Sequence, residues 1–122
     1  MEKSNVNYTV FLNHFIANSI FTKKQISIIY NKVLKIKASD NITSGAYYRQ
    51  LGQCRSKTRK AVYSLLLLRL LNVVDKDTFS ILDQLNNQLN VMLNKPSDEI
   101  DSTSLDSVIS LVDNVIRKLV LI

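Results

Sequence analysis

The sequence predicts an all-α fold of five or six helices, and three observations support this prediction. Apolar residues recur at intervals of three and four through most of the chain, which is the spacing of a helix face. A many-stranded β fold needs many turns, and the chain has only two glycines and one proline to form them. A hydrophobic content of 46% in 122 residues suffices for one folded core, so we expect a single helical domain over residues 1–122.

The first two helices are predicted from apolar spacing and from one start signal. Residues 5–19 carry apolar side chains at helical intervals and form the first expected helix. Thr22 and Gln25 have the spacing of a capping box, in which the hydroxyl accepts from the Gln25 backbone and the glutamine side chain reaches back. A second helix is therefore expected from 23 to about 37, followed by a polar break at 38–43.

The helices that follow are predicted from the same spacing. Helical patterning resumes at Ser44 and continues to about Leu71. After a short turn we expect another helix, capped by Asp75 or Asp77. Pro96 and the acidic residues after it predict a loop, and a final helix is expected at roughly 103–121. This helical pattern after Asp75 leaves no clear wing, the β-hairpin that follows some DNA-binding motifs.

Charge is distributed unevenly along the chain. The net charge of +6 combines residues 1–75, with 12 Lys/Arg against 3 Asp/Glu, and residues 76–122, with 4 against 7. No acidic residue occurs between Asp40 and Asp75. A basic segment of this kind favours a polyanionic partner, and we rank nucleic acid above a membrane surface.

Several classes of function are disfavoured by what the sequence contains. One cysteine (Cys54) and one histidine (His14) provide neither an intramolecular disulfide nor a zinc site. Gly45 and Gly52 lack the pattern of a phosphate-binding loop. From these observations together, we expect no enzyme, no cofactor, no metal and no small-molecule ligand. The apolar run 61–74 is too short and too interrupted to span a membrane. Without a secretory signal, we expect a cytoplasmic, nucleoid-associated protein.

The segment from Ser44 to Val62 carries the most specific pattern. Leu51 and Gly52 could close one helix, after which a small residue precedes a basic helix. This pattern resembles the helix-turn-helix of LuxR-type regulators and of sigma-factor region 4, and Phe21 to Gln25 resembles the opening of the helix before that motif. The string from Gly45 to Leu51 is also similar to small basic helix-turn-helix proteins of crenarchaea. The resemblance implies a chromatin-associated or regulatory DNA-binding protein.

The resemblance also implies which side chains meet DNA. In such a motif Arg55, Ser56, Arg59 and Lys60 would face the major groove, where a guanidinium fork pairs with the edge of guanine. Nearer the rim of the groove, Arg49 and Lys57 would fit phosphate contacts. The residues that we expect at double-stranded DNA are Ser44, Tyr47, Arg49, Gln50, Gln53, Arg55, Ser56, Lys57, Arg59 and Lys60.

Spacing also supports a second geometry for this segment. One long amphipathic helix over 44–71 would place a single stripe of residues inward: Tyr47, Leu51, Cys54, Thr58, Ala61, Leu65 and Leu68. It would need no turn, and Gly52 inside it would cost about 1 kcal/mol relative to alanine. We favour the bent motif and keep the long helix as the alternative. In either geometry, a solvent-facing surface is expected to contain Arg49, Gln53, Lys57 and Lys60.

These observations predict a DNA-binding protein, either a transcriptional regulator or a chromatin-associated protein. We expect a homodimer in which the basic part, residues 20–75, binds DNA and the less basic helices of residues 76–122 mediate dimerisation. The alternative is a helical protein–protein interaction adaptor whose basic face binds an acidic partner. An RNA-binding protein is disfavoured because the aromatic motifs of RNA-binding modules are missing.

Overall fold

The computed structural model of the protein describes residues 5–35, 42–93 and 102–122, which form five helices. Their bounds are α1 Asn5–Ala17, α2 Lys23–Val33, α3 Ser44–Leu70, α4 Thr78–Leu93 and α5 Ser102–Leu119. The predicted all-α fold is confirmed. Most of the predicted polar break at 38–43, and the predicted loop at 96–101, lie outside the described residues. Over the described ranges, no helix is both long enough and apolar enough to cross a membrane.

Two compact units can be distinguished along the chain. The central unit is Phe15–Leu65, and the split unit combines Met1–His14 with Leu66–Ile122. The boundary between the units therefore falls within α3, whereas the sequence placed the end of its basic part at residue 75. That the chain forms one domain stays a prediction.

In the central unit, α2 begins with the predicted capping box. The Thr22 hydroxyl accepts a hydrogen bond from the Gln25 backbone NH at 3.2 Å. The Gln25 side-chain oxygen in turn accepts from the Thr22 NH at 3.0 Å. The helix ends at Val33, earlier than the predicted residue 37, and Lys35 follows with a φ of 58°. A left-handed residue after the last turn is a common way to end a helix.

α3 is one continuous helix of 27 residues from Ser44 to Leu70. The predicted turn at Gly52 is therefore wrong, and the alternative of a single long helix is correct. Gly52 has no positive φ, so it does not adopt the left-handed conformation of a turn. Leu51 and Cys54, on either side of it, are buried in the same cluster. An uninterrupted helix places residues three apart on one face, and their burial outweighs the cost of about 1 kcal/mol for an interior glycine.

Both ends of α3 have capping interactions that the sequence analysis did not identify. The Thr43 hydroxyl accepts from the Ala46 NH at 3.1 Å, the contact of an N-cap threonine. At the other end Asn72 is left-handed, with a φ of 60°. The Val73 NH donates to the Leu68 carbonyl at 3.0 Å, across this left-handed residue. These features form a Schellman motif, which ends the helix after Leu70.

α4 begins at the two aspartates predicted to cap it. The Asp75 carboxylate accepts from the Asp77 NH at 2.8 Å. The Asp77 carbonyl accepts from the Ile81 NH at 2.9 Å, which places Asp77 at the N-cap position. The Thr78 hydroxyl also donates to the Asp75 carbonyl. Asp75 therefore stabilises the turn before the helix, and Asp77 precedes its first residue.

The split unit contains buried residues from several segments and one short backbone pairing. Val74 and Val120 form an isolated antiparallel bridge. The Asp75 NH donates to the Leu119 carbonyl at 2.9 Å on one side of the bridge. His14 lies in the same unit, with its Nε2 2.9 Å from an Asp113 carboxylate oxygen. The buried apolar residues described in this unit are Phe11, Val74, Leu105, Val112 and Leu119.

Candidate nucleic-acid interface

The inward face of α3 is held by a small apolar cluster in the central unit. Ile28 of α2 and Leu51 and Cys54 of α3 are all at least 94% buried. Ile29 and Tyr47 pack against this cluster. Fully burying a large apolar side chain such as Ile28 or Leu51 is worth about 1.5–3 kcal/mol, so the cluster determines which face of α3 points away from α2.

The opposite side of this half of α3 is a surface that we call the outer face. A helix has 3.6 residues per turn, so residues spaced by four, three and four share a row. Two neighbouring rows make up the outer face: Tyr48, Gly52, Arg55 and Arg59 in one, and Arg49, Gln53, Ser56 and Lys60 in the other. Seven of these eight residues are exposed, and Ser56 is half-buried.

The outer face is cationic and contains no acidic residue. Its charges belong to Arg49, Arg55, Arg59 and Lys60. None of these four side chains forms a salt bridge or hydrogen bond with another residue that the structure describes. Arg55 and Arg59 are four residues apart, where like charges on a helix repel each other. The face therefore carries a concentration of positive charge with no compensation from the described residues.

Six of the ten residues expected at DNA belong to the outer face: Arg49, Gln53, Arg55, Ser56, Arg59 and Lys60. Ser44 is exposed at the first residue of α3, beside the N-cap Thr43. Tyr47, Gln50 and Lys57 are half-buried and lie outside both rows. The structure therefore brings together most of the predicted basic residues and separates three predicted residues from them.

Lys57 belongs to the protein's own packing and not to the outer face. Its ammonium donates to the Gln25 side-chain oxygen at 2.8 Å and to the Ile20 carbonyl at 3.0 Å. Gln25 is 94% buried, so Lys57 extends the capping box of α2 into a network that joins α2 to α3. The prediction that Lys57 shares the solvent-facing surface is therefore wrong, because its charge is bound to two oxygen atoms of the central unit.

The two tyrosines at the start of α3 occupy different environments. Tyr47, predicted at the DNA, packs against the apolar cluster, whereas Tyr48 is 67% exposed. Their ring centroids lie 5.4 Å apart at an interplanar angle of 76°, an edge-to-face contact. Tyr47 thus supports the ring of Tyr48 on the outer face. Tyr48 is not among the residues predicted at DNA, although its spacing from Gly52, Arg55 and Arg59 places it in their row on a continuous helix.

Cys54 is a buried thiol within the cluster. Its Sγ donates to the Gln25 carbonyl at 3.6 Å. Burial raises the pKa of the Cys54 thiol above its ordinary value, and the nearby charge of Lys57 opposes that rise only in part. A buried neutral thiol is a poor nucleophile, because the reactive species is the thiolate. Among the described residues, no group of three or more His, Cys, Asp or Glu side chains could hold a metal ion.

Taken together, the geometry provides a cationic helix face with one exposed aromatic ring. The chain matches no protein-family model, and no curated protein or solved structure is significantly similar to it.

Proposed function

We propose that the protein binds double-stranded DNA through the outer face of α3. The observation that carries this proposal is the presence of four cationic side chains on one face of α3. The sequence offers them no nearby acidic partner, since no acidic residue occurs between Asp40 and Asp75. Such a face is destabilising by itself, since its charges repel, and a polyanion removes that repulsion. The phosphates of duplex DNA supply this charge at high density.

The shape of α3 agrees with this ligand. An α-helix with its side chains is about 10–12 Å across, and the major groove of B-DNA is about 12 Å wide. Arg55 and Arg59 have planar guanidinium groups, which form paired hydrogen bonds with phosphate or with guanine. A protein of this kind would act as a transcriptional regulator if it reads bases, and as a chromatin-associated protein if it contacts only phosphates.

The double variant Arg55→Ala/Arg59→Ala tests the proposal. We expect it to bind a short duplex at least tenfold more weakly than the wild type, because two charge-assisted contacts are lost. The matched control is Lys23→Ala/Lys24→Ala, which removes two exposed charges at the start of α2. Fluorescence anisotropy with labelled duplexes measures both affinities, and circular dichroism checks that both variants are folded.

Two results would contradict the proposal. The first is the absence of wild-type affinity for any duplex at low salt. The second is an equal loss of affinity in both double variants, which would mean that only net charge matters. If the wild type instead binds acidic proteins and not DNA, the protein is the helical adaptor that the sequence offered as its alternative.

We also propose that the protein acts as a homodimer, with a leucine patch on the split unit as the interface. The patch consists of Leu66, Leu67, Leu70 and Leu71, which are 52%, 55%, 70% and 62% exposed. Contiguous exposed apolar surface of this kind marks an interaction site. A second copy is the partner that we assign, because an isologous dimer carries the outer face of α3 twice and so doubles the cationic surface available to one duplex.

The variant Leu70→Glu tests this interface. Since a buried, unpaired carboxylate is costly, sedimentation equilibrium should find the variant monomeric where the wild type is dimeric. Leu111→Glu is the matched control, because Leu111 is 52% exposed on α5, within the part predicted to dimerise. A monomeric wild type contradicts the proposal. Dissociation of the dimer by Leu111→Glu alone would place the interface on α5 and exclude the leucine patch.

A further inference from the structure

Gly52 is a glycine that the fold of the described residues does not require. It lies in the middle of α3 with helical backbone angles, where alanine is the more stable choice. A Cβ atom built at this position would meet no heavy atom within 4 Å. Neither a left-handed turn nor close packing within the chain therefore explains the missing side chain. One physical use of such a glycine is the close approach of a ligand to the helix backbone.

The residues around Gly52 define what can approach it. Tyr48 lies one turn before it, and Arg55 and Arg59 lie one and two turns after it in the same row of the outer face. We call the gap between Tyr48 and Arg55 the Gly52 notch. Along the row the notch is flanked by the exposed ring of Tyr48, which contacts Tyr47, and by the exposed side chain of Arg55. Neither side chain comes within 4 Å of a Cβ atom built at Gly52, so the surface there is open. An aromatic ring beside arginines favours a ligand with both apolar and anionic parts.

We propose that the Gly52 notch holds the deoxyribose-phosphate backbone of one DNA strand. This inference rests on the proposed DNA-binding function and specifies the contact within it. The strand supplies phosphates to the guanidinium groups of Arg55 and Arg59 and the C–H groups of a deoxyribose to the ring of Tyr48. The absent Cβ lets the strand lie against the helix backbone, within reach of all three side chains.

Backbone contact distinguishes this proposal from readout of a base. A phosphate and a sugar are the same at every position of a duplex, so this contact positions the helix without reading sequence. A base edge in the notch would instead make the effect of Gly52 depend on the DNA sequence. An unpaired base stacked on Tyr48 would make the protein prefer single strands.

The variant Gly52→Ala tests the proposal because it separates stability from binding. Replacing an interior helical glycine with alanine should raise the Tm by about 4 °C. The added methyl group fills the notch, so affinity should fall about fivefold to tenfold, equally for two duplexes of unrelated sequence. The control is Asn86→Ala on the exposed face of α4, which also raises helix propensity and should leave DNA affinity unchanged. Labelled duplexes and single strands of both sequences serve as the probes.

Three outcomes overturn the inference. A stabilised Gly52→Ala protein with wild-type affinity shows that nothing occupies the notch. A loss confined to one duplex sequence places a base edge there, and a loss on single strands alone places an unpaired base there. The proposed function itself fails if Arg55→Ala/Arg59→Ala does not change the duplex affinity. That result is distinguishable from all three outcomes.

Discussion

Lys57 shows how a charged residue of a basic segment can be structural. Its ammonium binds the Gln25 side-chain oxygen and the Ile20 carbonyl, so both ends of the contact lie within the central unit. Sequence spacing places Lys57 at the edge of the solvent-facing side of α3, but it cannot show that a carbonyl of the preceding segment comes within reach of a long side chain. That contact depends on how α2 packs against α3.

The substitution Lys57→Met keeps most of the side-chain stem and removes both hydrogen bonds. We expect the free energy of unfolding to fall by about 1–2 kcal/mol, because hydrogen bonds to a charged donor are lost. Urea denaturation measures this change. The salt dependence of DNA binding should stay that of the wild type. An unchanged stability combined with a weaker salt dependence would show that Lys57 contacts phosphate instead.

Cys54 is the only cysteine, so a thiol reagent reports on its environment alone. Because burial raises the pKa of this thiol, alkylation at neutral pH should be slow in the folded protein and fast after unfolding in urea. The folded state favours the neutral thiol. The contribution of Cys54 to the free energy of unfolding is therefore complete below the ordinary thiol pKa of 9.0, and it is lost as the pH rises above that value and the thiol ionises. Equal alkylation rates in the folded and unfolded protein would contradict the burial of Cys54.

At the scale of the helices, local signals predicted α2 well and α3 only in part. The start of α2 could be predicted because Thr22 and Gln25 interact across a single turn, a contact that sequence spacing determines. The prediction of a turn at Gly52 is wrong because it depends on glycine as a turn signal. Leu51 and Cys54, on either side of the glycine, are buried in one cluster, and this tertiary burial decided the conformation. The predicted inward stripe is wrong at Thr58 and Leu68, which are exposed because the cluster covers only the first half of the helix.

The capping box of α2 offers a test of this element. Thr22→Ala should lower the free energy of unfolding by about 1 kcal/mol, since the Gln25 NH loses its acceptor. Ser27→Ala is the control, because Ser27 is exposed within the same helix and alanine is the better helix former there. Urea denaturation of both variants measures the difference. Equal stability of the two variants would contradict the role of the capping box.

For the whole molecule, the position of the basic residues along the chain indicates the binding surface better than the net charge of +6 does. The sequence could locate the basic segment and six of the eight residues of the outer face. It could not show that Tyr48 and Gly52 complete that face, since this follows only once α3 is known to be continuous. The sequence could not predict that the leucine patch is exposed, because an apolar run has the same sequence pattern in a core and at an interface.

The salt dependence of duplex binding tests the central claim most directly. Four phosphate contacts per protomer, from Arg49, Arg55, Arg59 and Lys60, predict that log K falls with log[salt] at a slope of about −3.6 per protomer. Arg55→Ala/Arg59→Ala should bring the slope to about −1.8, whereas Lys57→Met should leave it unchanged. A wild-type slope near zero, or a slope that the double arginine variant does not alter, would contradict DNA binding through the outer face of α3.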